Sequence, residues 1–183
     1  MRDALGARAL SIEHVGSTSI PGLAAKPVID MLLTVADTTD EAAYVPDLER
    51  AGFRLTIREP EWHEHRMFKG PRININLHVF SQGSTEIERM LTFRDRLRAN
   101  AVDRRRYEDF KRELATREWN VVQDYADSKG TIVEEIVAAA RAQSVLPAGT
   151  LRCFRCGAVQ VDYRLCKVFC AACGGLIENC SGD

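Results

Sequence analysis

The first 152 residues contain no cysteine; all six cysteines fall between Cys153 and Cys180. A disulfide framework serving the whole fold is therefore excluded. No apolar run approaches the roughly 18 to 20 residues that a spanning helix needs. The start, MRDALG, lacks the apolar region of a signal peptide, so a cytoplasmic protein is expected. Charge of one sign is also missing: 25 Lys and Arg balance 26 Asp and Glu, a net −1. Nothing global draws such a chain to nucleic acid or membrane. There is no Gly-x-x-x-x-Gly-Lys-Ser/Thr loop, which argues against P-loop kinase chemistry. What remains is 183 residues, 45% hydrophobic, enough for one medium domain and a small module.

The periodicity predicts strands before helices. Residues 10–15 alternate apolar and polar side chains, and 27–35 form a nearly continuous apolar run, the pattern of a strand buried on both faces. A helix is expected over 40–51, ending at Gly52. Short strands follow at 53–57 and 61–68. Over 72–80, Ile73, Ile75, Leu77 and Val79 alternate with Asn74, Asn76, His78 and Phe80, giving a strand with a polar face. Helical spacing marks 85–99, 103–117 and 121–142. The expected fold is α+β, a mixed sheet with helices packed on it. The predicted organisation is a main domain over 1–142, a linker over 143–150 and a small module over 151–183.

The densest chemistry lies in residues 13–30, EHVGSTSIPGLAAKPVID. It reads strand, turn, crossover, strand. Gly16 lets backbone approach a ligand, because it has no Cβ. Turn N–H groups and the hydroxyls of Ser17, Thr18 and Ser19 suit phosphate. Lys26 can neutralise charge, and His14 stands directly before the turn. Asp30, inside an apolar strand, needs a reason to be there; holding Mg²⁺ is one, since that ion prefers oxygen ligands. His78 faces with Asn74 and Asn76 and is a candidate general base or metal ligand, or a satisfied, partly buried histidine. In the polar stretch at 61–66, His63 and His65 are a His-x-His pair that suits a metal or a solvated edge equally.

The block at 13–30 closely resembles the signature of the GrpB family, which has a nucleotidyltransferase-like fold. FRDRLR at 93–98, Tyr107 with Phe110 and Lys111, and the pair Tyr125 and Lys129 extend the resemblance over roughly 8–142. The resemblance implies a divergent nucleotidyltransferase that moves a nucleotidyl group from an NTP to an acceptor. Asp30 and His78 would be catalytic, with Mg²⁺ at Asp30. His14, Gly16, Ser17, Thr18, Ser19, Lys26 and Arg66 would hold phosphate or nucleotide. The family strand that carries His78 usually has His where this chain has Asn76. Polymerase-β-type enzymes place a second carboxylate two residues after the first. Here that residue is Leu32, on the Asp30 face, as is usual in the family. Two-metal catalysis needs clustered carboxylates, so binding of a nucleotide or phosphometabolite without turnover is the alternative.

The tail holds two matched knuckles, Cys153-Phe-Arg-Cys156-Gly and Cys170-Ala-Ala-Cys173-Gly. Four thiolates complete a tetrahedral Zn²⁺ shell, and a hairpin is expected between them at 159–163 and 165–169. The expectation is a structural zinc ribbon that a small module needs in order to fold. Ribbons bind nucleic acid or protein; Arg152, Arg155, Arg164 and Lys167 form only a modest basic set, so a protein partner is expected.

Overall fold

A computed structural model describes residues 1–116, 130–144, 161–164, 167–170 and 176–179. Helix α1 (Arg2–Leu5) leads into β1 (Ser11–Val15), a 3-10 turn at Ser17–Ser19 and β2 (Ile29–Val35). After α2 (Val45–Arg50) come β3 (Arg54–Glu59), β4 (His65–Lys69) and β5 (Ile75–Ser81). Helices α3 (Thr85–Ala99), α4 (Ala101–Ala115) and α5 (Gly130–Ser144) follow. The five strands form one mixed sheet in the order β1-β2-β5-β4-β3, with β2 and β5 parallel and the other pairs antiparallel. The α+β expectation is met.

Alternation on β2 and β5 divides the core. Leu33, Val35, Leu77 and Val79 pack with Leu5, Tyr44 and Leu48 under α1 and α2. On the opposite face Val15, Leu32 and Phe80 are buried under Ile87, Met90 and Leu91 of α3. A third cluster joins α3, α4 and α5 to the β1–β2 crossover through Ile20, Leu23, Leu97, Tyr107, Ile132 and Ile136. Both faces of the central strands are thus covered; the edge strand β3 is exposed along most of its length, and the first half of β2 is only half-buried.

Several boundaries differ from the pattern reading. The helix expected over 40–51 is a 3-10 turn (Glu41–Ala43) and then α2, separated at Tyr44 (φ −142°). Pro46 fits the first turn of α2, where its missing N–H costs nothing. Gly52, at φ 90°, turns the chain out of that helix; its N–H reaches the Glu49 carbonyl and that of Phe53 the Leu48 carbonyl. Ile73 and Asn74 precede β5, and Ile73 is exposed, so the strand starts later than its alternation implied. Helix α4 starts two residues early because the Asn100 side chain accepts the N–H groups of Val102 and Asp103. On β2, residues 29–31 are only half-buried and 32–35 are buried on both faces, so its first half opens onto the candidate site.

In the tail, β6 (Val161–Arg164), β7 (Lys167–Cys170) and β8 (Leu176–Asn179) form a separate antiparallel sheet. The expected hairpin is present, with a third strand beside it. α5 runs to Ser144, two residues into the expected linker; Cys153, Cys156 and Cys173, the side chain of Cys170, the rest of the linker at 145–150, and Tyr125 with Lys129 lie outside the described residues. Among the described residues no helix is long and apolar enough to cross a membrane.

Candidate functional site

β1 and β2 are antiparallel with Val15 opposite Asp30, and β2 runs parallel to β5 with Asp30 beside Asn76. This register places Asp30, Asn76 and His78 on one face, where β4 adds His65 and Lys69. Asn76 donates to Asp30 Oδ1 (2.8 Å) and accepts from the Lys69 ammonium. His78 Nε2 lies 3.8 Å from the same carboxylate oxygen. His65 Nε2 is 3.1 Å from His78 Nδ1, and His65 Nδ1 is 2.6 Å from Glu59 Oε2 on β3. A polar row therefore crosses four strands from Asp30 to Glu59.

Gly16 lies directly over Asp30. Its φ of 67° and ψ of −174° belong to glycine, and an added Cβ would sit 2.3 Å from Asp30 Oδ2. The turn that follows is held from several sides. Ser19 Oγ donates to the Gly16 carbonyl (2.7 Å), and Arg98 of α3 donates twice to the Ser19 carbonyl. Thr18 Oγ1 donates to the Val28 carbonyl (3.0 Å), so His14 Nε2, 3.0 Å away, is the donor to Thr18. Lys111 Nζ of α4 reaches Ser17 Oγ (3.0 Å) and the Ala24 carbonyl (2.7 Å). Its ammonium also lies 5.6 Å from the centre of the Tyr107 ring. The first N–H groups of a helical turn have no partner within it. At this turn they belong to Ser17 and Thr18. A cleft of about 250 Å³ opens beside Gly16, lined by Arg89, Phe93 and Tyr107 among others. A larger cavity of about 350 Å³ lies between α4 and α5; Phe110 lines it, and none of the residues expected to bind phosphate or to be catalytic does.

The sequence candidates thus divide. Gly16, Ser17, Asp30 and His78 come together. Ser19 directs its hydroxyl back to the Gly16 carbonyl, and Thr18 directs its own to the Val28 carbonyl before β2. His14 pairs with Met31 on the face opposite Asp30 and braces the turn. Lys26 is exposed on the crossover. Arg66 pairs with Val79 on the far face and is buried, its guanidinium 2.7 Å from Glu41, which also binds Arg58. These two cations hold the Glu41 carboxyl down at about 2, Arg58 contributing most and burial opposing. Arg66 is an internal counter-ion to Glu41.

From the sequence, Lys111 and Arg98 suited cleft lining and helix-face packing or surface charge equally; the fold brings them to the turn across 94 and 79 residues of sequence. Arg94 is a similar case, tying α3 to β1 through Glu13 (2.8 Å) and the His14 carbonyl. His65 and Glu59 gave no signal that they would line up with His78, since each sits on a different strand.

The residues do not fit a two-metal centre. Leu32, at the place of a second carboxylate, is fully buried beneath α3. Among the described residues no group of three His, Cys, Asp or Glu side chains is placed to hold a metal.

A five-stranded mixed sheet with helices on both faces, and a glycine-opened turn over a strand carboxylate, define the class of protein. The GrpB protein family model matches residues 1–139. A UPF0157 protein of Halalkalibacterium halodurans is 61% identical over 142 residues, covering 78% of this chain and 73% of that one. A UPF0157 protein of Streptomyces coelicolor is 44% identical over 140 residues, 76% and 73% of the two chains. The crystal structure of the conserved protein GrpB from Enterococcus faecalis superposes with a TM-score of 0.67 at 28% identity, over 78% of this chain and 87% of that one. The chain belongs to the GrpB family.

Proposed function

We propose that this protein is a divergent nucleotidyltransferase-like enzyme. Its turn at 16–19 receives the phosphates of an NTP, and Asp30 with His78 faces the acceptor. The observation that carries this reading is the Lys111 ammonium 3.0 Å from Ser17 Oγ, at a glycine-opened turn stacked on Asp30. A cation, a hydroxyl and turn N–H groups together suit phosphate. Transfer of a phosphoryl or nucleotidyl group depends mainly on positioning and charge stabilisation, and the cradle and the Asp30–His78 pair supply both. Asp30 bears the negative charge that orients a donor group; His78 offers a proton acceptor. No step is routed through a metal, because the donor set lacks a second carboxylate.

A second reading is binding of a nucleotide or phosphometabolite without turnover. The burial of Leu32 favours it, since a side chain sealed beneath α3 leaves no room for the missing ligand. In either reading, Cys153, Cys156, Cys170 and Cys173 hold a structural Zn²⁺, and the ribbon recruits a protein partner.

The test is calorimetric titration of the four NTPs, with and without Mg²⁺, into the full chain, Lys111→Met and Asp30→Asn. Binding lost in Lys111→Met with the fold retained supports the cradle. Incubation with labelled NTP and candidate hydroxyl acceptors then separates transfer from binding. No NTP binding by the folded wild type overturns the nucleotide reading.

A further inference from the structure

The cleft beside Gly16 changes character along its length. Glu86, Arg89, Met90 and Phe93 of α3 line it. They stand at positions i, i+3, i+4 and i+7, so they form one stripe along the helix. The stripe runs about 10 Å from Phe93 back to Glu86. Tyr107 of α4 and Val133 of α5 add to the walls. The aromatic end adjoins the turn. The Phe93 and Tyr107 rings meet edge to face with centroids 5.1 Å apart. The Lys111 ammonium lies 5.6 Å from the Tyr107 ring centre and 3.0 Å from Ser17 Oγ. A phosphate on the turn is therefore next to the Phe93 end, and Glu86 with Arg89 stands at the far end.

That far end carries an excess of negative charge. Arg89 donates from Nε to Glu134 (2.6 Å) and from Nη1 to Glu86 Oε1 (2.8 Å). One guanidinium thus serves two carboxylates. Glu134 is largely exposed and water balances it, whereas the Glu86 side chain is only 8% exposed. A tie between α3 and α5 needs only Arg89 and Glu134; Glu86 adds a buried charge to it. A carboxylate has room for about four hydrogen bonds, and a buried one gains from each N–H that it accepts.

We propose that this cleft receives the base of the nucleotide whose phosphates lie on the turn at 16–19, and that Glu86 and Arg89 select guanine, a specificity that rests on the nucleotidyltransferase-like reading and names its donor substrate. At about 250 Å³ the cleft is smaller than the roughly 300 Å³ from which pockets enclose a whole drug-sized ligand. It suits one ring system of a ligand whose remainder lies on the turn.

A base lying against Phe93 and Met90 turns its sugar toward the turn and its opposite edge toward Glu86. On guanine that edge presents an acceptor, O6, beside two donors, the ring N–H and the exocyclic amine. Glu86 accepts from the two donors, and an Arg89 N–H donates to O6. Among the described residues Arg89 reaches Glu86 through Nη1 and Glu134 through Nε and Nη2, so its fork of five N–H groups has donors to spare. Adenine and cytosine each turn a ring-nitrogen acceptor toward the carboxylate, where guanine has a donor. Uracil offers one donor flanked by two carbonyls. Like charges and lone pairs facing each other make these three the poorer fit.

The experiment is calorimetric titration of GTP, inosine triphosphate, ATP and guanosine into the full chain and into Glu86→Gln. GTP is expected to bind about tenfold or more tighter than ATP, with inosine triphosphate, which lacks the exocyclic amine, between them. Glu86→Gln should weaken GTP by about the same factor and leave ATP in place. A carboxylate that only tied helices together would lower both or neither. Equal affinity of the wild type for GTP and ATP overturns the guanine assignment and leaves the proposed function standing. A preference for GTP that survives in folded Glu86→Gln also overturns it. If that variant does not fold, the wild-type order of GTP, inosine triphosphate and ATP decides. Guanosine bound as tightly as GTP supports the cleft and counts against phosphate binding at the turn alone. No binding of any of the four overturns both.

Discussion

Gly16→Ala should be among the most damaging small substitutions in this chain, for reasons that can be separated. The first is backbone. A residue at φ 67° and ψ −174° occupies a region essentially reserved for glycine, and holding alanine there costs about 1 to 3 kcal/mol. The second is contact. The new methyl would lie 2.3 Å from Asp30 Oδ2, 2.9 Å from its Cβ and 3.0 Å from its Cγ. Asp30 sits on a central strand and cannot withdraw without releasing Asn76. A hydrogen bond to a charged group is worth about 1.5 to 3 kcal/mol, so the total comes to about 2.5 to 6 kcal/mol. For a chain of this size that lowers Tm by about 5 to 24 °C. Gly22 is the internal control. It also has positive φ (77°), but nothing lies within 4 Å of an added Cβ. Gly22→Ala should therefore cost only its backbone strain, about 1 to 2 kcal/mol. Urea unfolding of both variants gives the difference. In an Asp30→Ala background the Oδ2 and Cγ contacts vanish, so Gly16→Ala should become less costly, a coupling a double-mutant cycle reads directly. Equal losses for the two glycines, or no coupling, would refute the account of Gly16 as the roof over Asp30.

Other outcomes follow from the same geometry. Glu41 titrates at about 2 in the folded chain against 4.5 ordinarily. The folded state thus binds its proton less readily. The stability Glu41 contributes is complete above about pH 4.5 and is lost as pH falls toward 2. Urea midpoints across that window should fall with acid, and Glu41→Gln should flatten the slope attributable to this group; an unchanged slope would dismiss the pair with Arg58 and Arg66. Arg66→Met should lower stability yet leave NTP affinity within about twofold, because the cation is on the far face and held by Glu41; a large affinity loss with an intact fold would return Arg66 to the site. Leu32→Asp should not create a metal centre. It should destabilise by several kcal/mol, roughly 3 or more, because a lone carboxylate would be buried beneath α3; a stable, Mg²⁺-binding variant would contradict that. Elemental analysis should find one Zn²⁺ per chain, lost in Cys153→Ser. A chelator should leave the far-ultraviolet helix signal of the main domain in place; collapse of that signal would deny the division at 143–150.

Local pattern along the chain carried most of the secondary structure. Alternation set β1 and β5, a nearly continuous apolar run set β2, helical spacing set α3, and GSTS after an alternating run marked the turn. Asp30 stood out because a carboxylate within an apolar run has few physical excuses. Local pattern ran short where neighbours outweighed it: Tyr44 interrupts the helix expected over 40–51, and Ile73 lies outside the strand its alternation promised. Tertiary structure alone decided which residues share the site. His14 and Asp30 are both strand residues near one turn, yet the antiparallel register of β1 and β2 sends them to opposite faces. Arg66 looked like a phosphate contact until β4 paired with β5 and turned it toward Glu41. Lys111, Arg98, His65 and Glu59 reach the turn or His78 only through packing between elements distant in sequence. A strand's period fixes which residues share its faces; which face meets which partner depends on the order and register of the sheet, and those are set by contacts a linear pattern does not contain.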